Sequence, residues 1–136
     1  MIKGIAHLAF AVNDMEESLQ FYVNGLGFQK AFVLKDALDN PMIVYLSLGT
    51  GQFIELFFKK QRLHTENHSS YEHFCLEVDN IFEFVASLES KKIKIVSYPE
   101  MGLDNNYQCW IEDPDSNRIE IMQYTPDSLQ LKAIQN

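Results

Sequence analysis

The sequence predicts an α+β fold: two tandem βαβββ modules forming a curved mixed sheet with helices on its convex side. Two observations predict it. With the chain offset by 66 residues, His7-Leu8-Ala9-Phe10-Ala11-Val12-Asn13-Asp14 falls on His73-Phe74-Cys75-Leu76-Glu77-Val78-Asp79-Asn80. Glu55 then follows His7 by 48 positions, and Glu120 follows His73 by 47. In both copies, period-two alternation also gives way to a helical pattern at the same place. The limits are about 1–58 for the first module, 59–70 for a linker, 71–124 for the second module and 125–136 for a tail, in a single domain of 136 residues.

Each module opens with a strand. Leu8, Phe10 and Val12 alternate with His7, Ala9 and Ala11, and Phe74, Leu76 and Val78 alternate with His73, Cys75 and Glu77. The large apolar face needs cover, and a helix follows. Asp14 with Glu17, and Asn80 with Glu83, make aligned capping boxes. Met15, Leu19, Tyr22 and Val23 form one helical stripe and Ile81, Phe84, Val85 and Leu88 the other, with Gly25 and Gly27 stopping the first helix. Three strands per module follow: about 28–35, 43–48 and 53–58, then 93–97, 107–111 and 118–124. Gly49-Thr50-Gly51 and Asp113-Pro114-Asp115-Ser116-Asn117 are the turns.

With 46% apolar residues the chain can bury a core. A net charge of −8 opposes binding to nucleic acid or an anionic membrane surface. No apolar run approaches the ~20 residues of a membrane span. Ile5–Val12 is too short, and too interrupted by histidine, for a signal core. Cys75 and Cys109 have no CxxC spacing and are too few for a disulfide scaffold, so a reducing cytoplasm is expected.

Alternation places Phe53, Glu55 and Phe57 on one face of the last strand of module one, and Arg118, Glu120 and Met122 on the corresponding face of module two. If these are the concave faces, two imidazoles and two carboxylates meet among apolar neighbours. A buried carboxylate without a partner costs several kcal/mol. Nitrogen and hard oxygen donors suit a divalent metal, and two carboxylates neutralise it. Metal ligands are therefore expected at His7, Glu55, His73 and Glu120, leaving two adjacent positions of an octahedral ion for water or a bidentate substrate.

These residues, with Ser18-Leu19-Gln20-Phe21-Tyr22, Leu26-Gly27-Phe28, and Asp113-Pro114-Asp115 leading to Arg118-Ile119-Glu120-Ile121, carry a resemblance. The chain resembles the vicinal oxygen chelate superfamily, which has the glyoxalase/bleomycin resistance/dioxygenase fold. Within it, the chain is similar to the short bacterial glyoxalase I (lactoylglutathione lyase) type. The resemblance runs to about Tyr124. Extradiol dioxygenases and fosfomycin-modifying members typically use two histidines and one glutamate, epimerases show glutamine where this chain has Glu55, and bleomycin-binding members lack the metal set. A full His/Glu/His/Glu quartet is nearest to glyoxalase I.

The resemblance implies a hemithioacetal of a 2-oxoaldehyde such as methylglyoxal, isomerised to a 2-hydroxyacyl thioester through a metal-stabilised enediolate. It implies proton transfer by Glu120 first and Glu55 second. It favours Zn or Ni; the ligand types also admit Co, Mn or Fe. Phe53, Phe57, Lys59, Cys75, Trp110, Arg118 and Met122 are expected around the substrate. Two positions depart from the glutathione-using pattern: Ala11 stands where arginine is common, and Lys59 where asparagine is. A different thiol therefore stays open. So do a metal-dependent epimerase or oxygenase, and a small-molecule binding or resistance protein without catalysis. His64 and His68 read as part of a solvated linker. Asp104-Asn105-Asn106 reads as a loop able to close over the site. Unpaired sheet edges point to a homodimer.

Overall fold

The computed structural model describes residues 6–49, 51–58 and 73–134. Two compact units divide the chain, Met1–His68 and Ser69–Asn136.

In the first unit, β1 (His7–Val12), α1 (Met15–Leu19), a π-helical continuation (Gln20–Gly25), β2 (Gln29–Lys35), β3 (Pro41–Ser47) and β4 (Phe53–Phe58) follow one another. The sheet order is β1-β4-β3-β2, with β1 parallel to β4 and the remaining pairs antiparallel. The second unit repeats this with β5 (Phe74–Glu77), α2 (Ile81–Ser90), β6 (Ile95–Met101), β7 (Tyr107–Glu112) and β8 (Arg118–Gln123), in the order β5-β8-β7-β6. α3 (Leu129–Ile134) follows. These are the two mixed-sheet βαβββ modules of an α+β fold.

Local chemistry sets the helix starts. Asp14 Oδ1 accepts from Glu17 N at 2.9 Å, and Asn80 Oδ1 accepts from Phe82 N at 3.1 Å and Glu83 N at 3.2 Å. Gln123 Oε1 also accepts from Ile81 N at 2.9 Å, tying the start of α2 to β8. Ile81, Val85 and Leu88 are buried, and α2 packs on β6, β7 and β8. A ten-residue helix is marginal alone, so burial of this stripe, worth about 2 kcal/mol per side chain, holds it.

The first helix differs from expectation. Its ladder widens after Leu19, with Leu26 N donating to Phe21 O at 2.9 Å. Gly25 lies buried inside this wide segment and does not stop it. Gly27, at φ +85°, makes the stop, and Phe28 N returns to Tyr22 O at 3.0 Å. Ser18 and Tyr22 are buried, while Met15, Leu19 and Val23 stay half-exposed.

β6 starts two residues after the expected Ile93 and runs on to Met101, through Pro99. It is an edge strand with register shifts on both sides of Ser97, where a missing N–H is tolerated. The tail carries α3, and the loop Leu103–Asn106 is bound to it. Asn106 Nδ2 donates to Asp104 Oδ2 and Gln130 Oε1, both at 2.8 Å, and Gln130 Nε2 donates to Asp104 Oδ2 at 2.6 Å. These bonds tie that loop to the tail.

Among the described residues no helix is long and apolar enough to cross a membrane.

Candidate metal and substrate site

Each unit carries one histidine–glutamate pair, and the turns set where it forms. In the first unit, Gly49 (φ +90°) and Gly51 (φ +78°) shape the β3–β4 hairpin, closed by Leu48 N to Gln52 O at 3.2 Å. The resulting register puts Tyr45 opposite Glu55 and Ser47 opposite Phe53. On the other flank, parallel β1 sets Ala9 beside Glu55 and His7 beside Phe53. A one-residue slip would turn Glu55 to the other face.

Glu55 is 5% exposed, and its Oε1 lies 3.5 Å from His7 Nε2. Proximity to the Glu55 carboxylate, followed by burial, raises the Tyr45 phenol above its ordinary range. Phe32 stacks on Tyr45 at 4.3 Å and 20°, and Phe53 stands 6.2 Å from it nearly edge-on. His7 approaches Tyr45 edge-on at 6.5 Å. Phe57 is 36% exposed, two residues along the same face.

In the second unit the turn after β7 is held by Asp113, whose Oδ1 accepts from Asp115 N at 2.9 Å and Asn117 N at 2.8 Å. Trp110 is thereby paired with Glu120, and Cys75 flanks Glu120 from β5. Glu120 is 7% exposed, with Oε2 at 3.2 Å from His73 Nε2. Trp110 meets His73 edge-on at 4.8 Å, while the Arg118 guanidinium lies over the indole, 4.3 Å from its centroid. Met122 is buried on the same face.

Cys75 is exposed by area, yet crowding of its sulfur, then the Glu120 charge and a hydrogen bond to that carboxylate, push its thiol up to about 12. A thiol so placed is protonated at neutral pH and is no nucleophile. Cys109 faces the core, where burial lifts its thiol to about 11.

Both glutamates and both histidines therefore occupy equivalent places in the two repeats. Lys59, His64 and His68 lie outside the described residues. Among the described residues no group of three or more His, Cys, Asp or Glu side chains is gathered as a metal cage. Each pair supplies one imidazole nitrogen and one carboxylate oxygen, donor types that fit a divalent ion, but two donors alone are too few.

Tyr45 is the site residue that composition alone does not mark. Its signal lies in hairpin geometry: it stands as far before Thr50 as Glu55 stands after it, so folding the strands about that turn brings them face to face.

Comparison with known proteins agrees with this architecture. Residues 4–121 match the profile of the Glyoxalase/Bleomycin resistance protein/Dioxygenase superfamily. Human mitochondrial methylmalonyl-CoA epimerase is 33% identical over 98 residues, covering 67% of this chain and 55% of that protein. The chain thus spans about half the length of that relative. The metallothiol transferase FosB of Staphylococcus epidermidis is 27% identical over 123 residues, covering 89% of this chain and 84% of that one. A superfamily member from Sphaerobacter thermophilus superposes with a TM-score of 0.74 at 26% identity, over 90% of this chain and 98% of that one. The chain belongs to the glyoxalase/bleomycin resistance protein/dioxygenase, or vicinal oxygen chelate, superfamily.

Proposed function

We propose that this chain is a metal-dependent isomerase of the glyoxalase I type. It converts the hemithioacetal of a 2-oxoaldehyde and a thiol into a 2-hydroxyacyl thioester. The observation that carries this reading is the repeated pair: a buried glutamate contacts a histidine in each repeat, Glu55 with His7 and Glu120 with His73. Together they supply the four ligands His7, Glu55, His73 and Glu120, one glutamate more than a two-histidine, one-glutamate set.

A bound divalent ion, Zn or Ni first and Co, Mn or Fe as alternatives, supplies Lewis acidity toward two vicinal oxygens. The chain's residues do the rest. Glu120 takes the proton from the carbon bearing the thiol and returns it to the neighbouring carbon, so the step is an isomerisation needing no oxidant or reductant. His73 holds Glu120 in place. Phe53, Phe57, Trp110 and Met122 exclude water, and Cys75, as a neutral thiol, lines the wall. Arg118 and Lys59 receive an anionic end of the thiol. The protein works as a homodimer in the cytoplasm, where its two free cysteines stay reduced.

A second reading shares the proton abstraction beside a carbonyl: an epimerase, favoured by the identity to the human enzyme. Elemental analysis and a substrate panel test both. The expected result is about one divalent ion per pair of histidines, and turnover of methylglyoxal with at least one thiol that a chelator abolishes. Turnover of methylmalonyl-CoA alone would favour the epimerase. Failure to take up any ion at micromolar concentration would refute both and leave a binding protein.

A further inference from the structure

Each edge strand carries a register shift that re-aims one side chain. In β2, Lys30 pairs with Leu46 and Phe32 with Tyr45, so Ala31 is an extra residue between two rungs. Without that shift Phe32 would stand opposite Val44, which is buried, and would turn into the core. The shift places it instead on the row of Ala9, Glu55 and Tyr45. β6 repeats the device. Ile95 pairs with Ile111 and Ser97 with Trp110, which moves Ser97 from buried Cys109 onto the row of Cys75 and Glu120.

The same position is thus presented beside the glutamate in both repeats, but it is filled differently. The second repeat has Ser97 there, and Arg118 two residues before its glutamate; the first has Phe32 and Phe53 at the matching places. Phe32 stacks on Tyr45 with centroids 4.3 Å apart and planes at 20°. Phe53 stands 6.5 Å from Phe32 and 6.2 Å from Tyr45. Three rings therefore make an aromatic wall on the face that holds the His7–Glu55 pair. Tyr45 covers one side of Phe32, yet the residue remains 46% exposed. Ser97 shows that the sheet closes without a ring at this position. A large apolar side chain diverted from the core and left half open gains most when a flat apolar group covers it.

We propose that Phe32 is a specificity-determining residue of the first unit, stacking on a planar aryl group carried by the ligand. On the isomerase reading above, on which this substrate class rests, the preferred substrate is the hemithioacetal of an aryl 2-oxoaldehyde. Phe32 then selects among substrates without touching the reacting carbons.

The test is equilibrium binding to the full-length protein, read by ligand-observed NMR titration with mandelate and lactate, the aryl and methyl 2-hydroxy acids. The parent is expected to bind mandelate about tenfold tighter than lactate, and Phe32→Ser, which imports the residue of the second repeat, should bring the two within about twofold. Phe82→Ser, at an exposed phenylalanine of α2, should keep the parent ratio. Should Phe32→Ser fold poorly, Phe32→Leu retains apolar bulk without the flat ring and is expected to lose most of the preference. Equal affinities in the parent, no binding of mandelate at millimolar concentration, or a preference that survives both Phe32 variants would overturn this assignment and leave the isomerase reading standing. A preference that depends on Phe32 in a protein that turns over no 2-oxoaldehyde would support the aryl subsite and overturn the isomerase reading alone.

Discussion

Asn106→Ala probes whether the β6–β7 loop is held or hinged. Asn106 is fully buried, and its amide donates at 2.8 Å to both Asp104 Oδ2 and Gln130 Oε1, while its Oδ1 accepts from Thr125 N at 3.4 Å. The Gln130 bond is neutral and worth about 1 kcal/mol net; the bond to the Asp104 carboxylate is charge-assisted and worth about 1.5 kcal/mol, the low end of its class because Asp104 stays reachable by water. The 3.4 Å contact adds little. Truncation also leaves Gln130 and Thr125 short of partners, so the total loss is about 2–3 kcal/mol. For a chain of this length each kcal/mol moves the midpoint by about 3–4 °C, giving a fall of about 6–12 °C. Differential scanning calorimetry reads it directly, with urea unfolding as a check on the free energy. A shift under about 2 °C would refute the reasoning, because it would mean that α3 and the loop contribute no cooperative stability.

Three further outcomes follow from the same geometry. Glu120→Gln is nearly isosteric and should keep its far-UV spectrum while losing about 10²–10⁴ in kcat, whereas Glu55→Gln should chiefly weaken metal binding; equal effects from both would contradict their different roles. Arg118→Gln should raise KM about five- to tenfold for adducts of a carboxylate-bearing thiol and leave a neutral thiol adduct within about twofold, and a uniform rise would exclude an anion-recognising role. The hydrogen bonds from Gln130 and Asn106 hold the Asp104 carboxyl below the ordinary carboxylate range, against the smaller opposing effect of burial. A lowered folded-state value means that its stabilisation is present above the unfolded value of about 3.9 and is lost as pH falls through the folded one. The midpoint difference between parent and Asp104→Asn should therefore be present at pH 6 and shrink below about pH 4; a difference that grows with acid would reverse the sign and defeat the argument.

Much of this was legible along the chain because it is local or periodic. The Asp14 and Asn80 caps depend on amides two or three residues away, and the strands around His7, Glu55, His73 and Glu120 follow period-two alternation. The wide π-helical turn at Gln20–Gly25 was not legible, since a hydrogen bond displaced by one residue leaves the apolar pattern almost unchanged. α3 escaped for a different reason. It is one and a half turns long, and what anchors it is Gln130 meeting Asp104 and Asn106, 26 and 24 positions away. The strand expected to end near position 97 runs on through Pro99, which its place at the sheet edge tolerates.

The candidate site divides in the same way. Repetition of His7 and Glu55 as His73 and Glu120 is a property of the string of residues, and it proposes a ligand set without any coordinates. Which side chain supports each glutamate is a property of register across strands. Tyr45 stands opposite Glu55, and Trp110 stands between Arg118 and His73, because two hairpins close with particular turns. Sequence repetition specifies identities at matched positions, but the pairing of Tyr45 with Glu55 and the cation over Trp110 exist only after residues ten and eight positions apart are folded onto one face.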